Sequence, residues 1–124
     1  MDPEENIPLT KEDVVWIKKI LSNSRFEDFR IHKHYWLAGV VGIPRHGFEI
    51  KDLKKLFSKS KLITRGFKRK SQTGFSYTLI YKISKNYHVR ISYFFDEFPM
   101  KIFNVIPIRR NLEKAISRRY GLSL

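Results

Sequence analysis

A chain of 124 residues with 42% hydrophobic and 15% aromatic content forms one domain that buries roughly two-thirds of its unfolded surface, which excludes a disordered tail and any need of a metal to fold. With 25 Lys and Arg against 12 Asp and Glu the formal charge is +13; such self-repulsion is relieved by a polyanion, nucleic acid first and an anionic membrane surface second. The lack of cysteine excludes disulfide frameworks, thiolate nucleophiles and Cys-type zinc sites.

The opening "MDPEENIPLT" is acidic and lacks the basic start and apolar run of a secretory signal, and no apolar run approaches the ~18–20 residues of a membrane span. An intracellular protein without a membrane partner is expected, in the cytoplasm or an organelle such as the mitochondrion. Thr10 with Asp13 three residues later is a capping-box start, and Val14, Ile17, Ile20 and Leu21 recur at helical spacing, so residues 11–22 are predicted as a helix. Seven of the twelve acids lie within residues 1–28, which makes that stretch an acidic arm and helix.

Residues 34–42 are predicted as a second helix, apolar nearly all round through Trp36, Leu37, Ala38, Val40 and Val41, and ended by Gly42 and Pro44. From Glu49 to Ser58 a third helix would bury Ile50, Leu53, Leu56 and Phe57 and turn Lys51, Lys54 and Lys55 to water. "LITRGF" and "FSYTLIYKI" then read as two strands joined through the polar "KRKSQTG" with Gly74. In the second strand Phe75, Tyr77, Leu79, Tyr81 and Ile83 alternate with Ser76, Thr78, Ile80 and Lys82, which is period two with one buried face.

Residues 87–98 fit two patterns. As a strand they set Tyr87, Val89, Ile91, Tyr93 and Phe95 against His88, Arg90 and Ser92; as a helix Ile91, Phe94, Phe95 and Phe98 form the stripe, and propensity favours the strand. A short strand over 100–106 follows Pro99, and a closing helix from Asn111 or the Pro107 region would face Leu112, Ala115 and Ile116 inward. The expected fold is a single α+β domain over residues 1–124, an antiparallel sheet with helices packed on one face and a basic carboxy-terminal helix.

Two basic blocks stand out. Residues 51–70 hold nine bases and one acid, and 101–119 hold six bases and one acid. Bordering one sheet face, they would form a groove that follows a phosphate backbone. The nucleic-acid-binding set is then Lys54, Lys55, Lys59, Lys61, Arg65, Lys68, Arg69, Lys70, Lys101, Arg109, Arg110, Arg118 and Arg119, with Phe67 beside them as a ring for unpaired bases and Phe75 and Tyr77 turned to the core. His32 and His34 sit two apart with no third ligand at a convincing spacing, so no metal and no cofactor are expected. His46 reads as an ordinary polar residue.

"WLAGVVG", residues 36–42, resembles the motif helix of LAGLIDADG homing endonucleases. The hairpin "KLITRGFKRKSQTGFSYTLIYKIS", "ISYFFDEFPM" and "NLEKAI" are similar to that family's late strands and last helix. The resemblance implies a twisted sheet saddled on nucleic acid. Gly42 stands where the family has its metal-binding acid, and Glu49 is the nearest carboxylate, so what is implied is a scaffold that binds without cleaving, with one motif copy calling for self-association or a partner. A ribonucleoprotein component, such as a ribosomal protein, fits that description by analogy.

"RHGFEIKDLKKLF", residues 45–57, resembles a segment of RelE/BrnT-like ribonuclease toxins. That likeness implies a metal-independent endoribonuclease in which His88, Arg90, Arg109 and Tyr120 supply a base, phosphate clamps and an acid. A basic module that docks an acidic protein is the third class.

Overall fold

Helix α1 (Lys11–Ser22) starts at a capping box in which the Thr10 hydroxyl accepts the Asp13 amide at 3.1 Å and the Asp13 carboxylate accepts the Thr10 amide at 3.0 Å. That amide holds the Asp13 carboxyl below its ordinary pKa. The computed structural model describes residues 6–72 and 74–109. Around α1 lie β1 (Asn6–Pro8), β2 (Phe29–Ile31), α2 (Ile50–Phe57), β3 (Ile63–Ser71), β4 (Gly74–Ser84), β5 (Tyr87–Phe94) and β6 (Met100–Ile108), with short 3-10 turns between them.

The strands form one six-stranded sheet in the order β1-β3-β4-β5-β6-β2. Four sequential strands make an antiparallel meander, to which β1 adds antiparallel on one edge and β2 parallel on the other. The sheet is therefore mixed where the sequence predicts an antiparallel one: β2, reached from α1 through residues 23–28, runs parallel to β6 at the edge. The carboxy-terminal helix lies outside the described residues, as do Arg110, Arg118, Arg119 and Tyr120.

Both helices cover one face. Ile17 and Leu21 of α1 and Leu53, Leu56 and Phe57 of α2 pack on Tyr77, Leu79 and Tyr81 of β4, Val89, Ile91 and Tyr93 of β5, and Ile102 and Val105 of β6. A chain of rings runs through this core, from Trp16 to Tyr77, Phe95, Tyr93, Phe29 and Phe57, with centroids 5.2–5.7 Å apart. Tilted and offset contacts of this kind add to the burial of the rings themselves. At its centre the Tyr81 and Tyr93 hydroxyls hydrogen-bond to each other at 2.7 Å, both side chains fully buried.

Residues 34–42 depart from the helix that their apolar run predicts. They hold no α-helix: 3-10 turns at Lys33–Tyr35 and Leu37–Gly39 flank an extended Trp36, and Ala38 and Gly39 have φ of +55° and +71°. Two consecutive left-handed residues cannot continue a right-handed helix. The segment folds back on itself through the Leu37 amide to the Ile43 carbonyl at 2.7 Å and the Arg45 amide to the Tyr35 carbonyl at 2.8 Å. Leu37, Val40, Val41 and Ile43 are exposed, whereas Tyr35 is buried and donates to the Phe48 carbonyl, its pKa pushed up to about 12 chiefly by burial.

The expected hairpin at "KRKSQTG" is present, with its strands running further into that stretch than the sequence reading places them. Strand β3 runs on to Ser71, and Gly74 is the first residue of β4. Register pairs Lys68 with Tyr77, Arg69 with Ser76 and Lys70 with Phe75, so the hairpin is long and its bases lie on the sheet. Residues 87–94 are strand, as propensity favours.

Candidate nucleic-acid interface

Alternation assigns the second sheet face. Because Tyr77, Leu79, Tyr93 and Ile102 point to the helices, Ser76, Thr78, Phe94 and Lys101 point away. A single transverse row crosses all six strands on this face: Asn6, Arg69, Ser76, Phe94, Lys101 and Arg30, each paired in register with the next. A neighbouring row holds Phe67, Thr78, Ser92 and Asn104, with Thr78 and Ser92 hydroxyls 3.1 Å apart. The third row holds Arg65, Ile80, Arg90 and Ile106.

Small polar side chains in mid-sheet, bordered by long ones, leave a trough of about 590 Å³. Ser76, Thr78, Ser92 and Asn104 line it in mid-sheet, Arg69 and Arg90 bring positive charge from the same face, Lys70 borders it although alternation gives it the parity of Lys68, and Phe94 and Phe103 supply rings; Asn6 and Ser71 also line it. Among the described residues that line it, none is acidic. Hydroxyls and amides ringed by cations suit a phosphodiester chain, whose charges are neutralised with release of counterions.

The sequence-predicted cations divide. Arg65, Arg69, Lys70, Lys101 and the candidate catalytic pair His88 and Arg90 stand on or beside this face. Lys101 lies 2.8 Å from Glu97. Lys68 is turned the other way, its ammonium 3.6 Å from Asp13 and 5.4 Å from the Phe75 ring centre. Helix α2 carries Lys54 and Lys55 on the helical side of the sheet, Lys54 being 2.9 Å from Glu27. Lys55, Lys59 and Arg109 border a separate recess of about 400 Å³ with Asp52 and Tyr87, and the Arg109 guanidinium lies 5.0 Å over the Tyr87 ring. Lys61 is exposed in the turn before β3. The first basic block therefore does not border a single face, because alternation along β3 and the seating of α2 divide it.

Phe67, expected as a stacking ring, is 3% exposed and so inaccessible to a base. His88 and Arg90 do project opposite the core aromatics, yet both are buried, at 4% and 7% exposure. His88 is held below its ordinary pKa by desolvation first and then by the nearby charges of Lys82 and Arg65; desolvation does the same for His32, helped by His34, Lys101 and Lys33 and opposed by Glu97. Both imidazoles are therefore neutral at pH 7.

A pH dependence of stability follows. Below about pH 6.5 the unfolded chain binds protons that the folded chain refuses, so stability present above that pH is lost as the pH falls toward the depressed folded values. Thermal melts are expected to show a falling midpoint between about pH 7 and about pH 5. His88→Gln should flatten that slope; an unchanged slope in the variant would clear His88 of the effect.

Sequence reading misses Asn6, Arg30, Ser76, Thr78, Ser92, Phe94, Phe103 and Asn104 as members of the interface. Alternation along the second and third strands of the meander carries the signal for Ser76, Thr78, Ser92 and Phe94. Alternation from Lys101 and Ile102 also turns Phe103 outward, and Asn104 is the residue that departs from the period. Register jumps between the Ser92–Asn104 and Tyr93–Ile102 pairs, so Phe103 is the extra residue of a β-bulge, and it shares the outer face with Asn104. Among the described residues no group of three or more His, Asp or Glu side chains converges as metal ligands do, and no helix is long and apolar enough to cross a membrane. Comparison with family models, with curated proteins and with solved structures gave no match.

Proposed function

We propose that the protein binds nucleic acid in the trough on the helix-free face of its sheet, and that it holds the strand without cutting it, as a component of an RNA–protein or DNA–protein assembly. The observation that carries this reading is the trough itself: three cations, four small polar side chains and two rings converge on one surface without an acid among the described lining residues. The charge of +13 supplies the long-range attraction, and the row from Asn6 to Arg30 supplies the track. The burial of His88 favours binding over a ribonuclease reading, since a general base must reach the hydroxyl that it activates.

Fluorescence anisotropy with labelled RNA and DNA, repeated over a range of salt, tests the proposal. Arg69→Gln together with Lys70→Gln is expected to weaken binding to every sequence and to reduce the salt slope by about 1 for each phosphate that is no longer neutralised. Unchanged affinity and slope would remove the trough from consideration. Cleavage of RNA in the presence of chelator, with cyclic-phosphate ends, would transfer the protein to the ribonuclease class.

A further inference from the structure

Phe103 stands at the bulge of β6. Its ring is half-buried and borders the trough beside Phe94, with centroids 5.5 Å apart and planes nearly perpendicular. His32 and His34 each lie 4.6 Å from the Phe103 centroid and 5.6 Å from one another. Imidazoles stacked on opposite faces would be separated by about twice the 4.6 Å distance, so both occupy the same side of the ring. Phe103 is thus backed by two imidazoles on one side, and it lines the trough. His34 is itself tied down, its amide donating to the His32 Nδ1 at 3.1 Å.

We infer that the trough takes an unpaired strand, with a base stacked on Phe103 against the edge of Phe94 and the neighbouring phosphates on Arg69 and Lys70. The inference rests on the nucleic-acid reading above and adds the class of ligand. A flat ring stacks on a base only when that base offers its own face, and in a duplex the faces are occupied by neighbouring pairs. Bases in a single strand are open to stacking, and such contacts tolerate any sequence because each base has a π-face. At the bulge Phe103 and Asn104 both border the trough, so two successive side chains serve that surface. The ligand chemistry is shared by RNA and DNA.

The test uses the full chain and labelled short oligoadenylate in three forms: RNA strand, DNA strand and the DNA strand annealed to its complement. The wild-type protein is expected to prefer either single strand to the duplex. Phe103→Leu retains apolar bulk and should weaken single-strand binding roughly tenfold to a hundredfold while changing duplex binding little. A thermal midpoint close to wild type confirms that the variant is folded, and Phe103→Tyr, which restores a ring, should recover the affinity. Duplex binding as tight as single-strand binding, or equal losses on both in Phe103→Leu, overturns the inference. Arg69→Gln separates the two levels: if it weakens binding while Phe103→Leu has no effect, only the stacking role falls, and if it too has no effect the trough reading falls with it.

Discussion

Gly66→Ala is expected to destabilise the protein by about 1–3 kcal/mol or more, the range for forcing extra volume into a packed interior. A Cβ at this position would stand 2.4 Å from the Thr78 carbonyl oxygen, 2.8 Å from Leu9 Cδ1 and 3.2 Å from Leu79 Cδ2. The leucine methyls can give way by rotation. The carbonyl cannot, because it belongs to the backbone of β4 where that strand pairs with β3, and moving it disturbs the central hairpin. On the other side the Leu9 amide donates to the Gly66 carbonyl at 2.9 Å, which ties the end of β1 to the same residue. Denaturant titration should show a lower midpoint with little change in slope. An unshifted midpoint would mean that β1 and β4 part at little cost, contrary to the packing described.

The hydroxyl pair at the sheet centre gives the second large effect, and its sign depends on how many partners are removed. Tyr93→Phe leaves the Tyr81 hydroxyl fully buried without the partner it has now, at a cost of about 1–3 kcal/mol. Replacing both tyrosines by phenylalanine removes the need along with the bond, so the double variant is expected to be closer to wild type than either single one. Burial also raises the pKa of both phenols far above the ordinary tyrosine value, so the pair stays neutral and the result should not vary between mildly acidic and mildly basic buffers. Additive losses in the double variant would show that the two hydroxyls act independently.

Local periodicity is sufficient for some elements and insufficient for others. Thr10 with Asp13 marks the start of α1, the Leu53, Leu56 and Phe57 stripe marks α2, and the alternation from Phe75 to Ile83 marks β4, because each signal is contained within a few residues of chain. The edge strands are invisible to it. Asn6–Pro8 and Phe29–Ile31 are three residues each, and only partners supplied from far along the chain make them strands. At residues 34–42 an apolar run has the look of a buried helix, whereas the left-handed pair at Ala38 and Gly39 turns it into an exposed fold-back.

The interface shows the same division. Arg69 is legible as a residue of the outer face, because period two separates it from Lys68, whose neighbours Asp13 and Phe75 lie on the helical side. Taking the three consecutive bases as one patch ignores the pleat. Phe94 follows from alternation with Tyr93 and Phe103 from alternation with Ile102, but Asn104 does not, because the bulge changes parity partway along β6 and only the strand pairing reveals it.

Both margins of the sheet are stitched by segments recruited from more than half a chain length away, Asn6 to Arg69 on one side and Phe29 to Met100 on the other. The four middle strands pair between sequence neighbours, whereas pairing at the margins closes long loops, so ordering Asn6 and Arg30 in the row carries the larger loop-closure entropy cost.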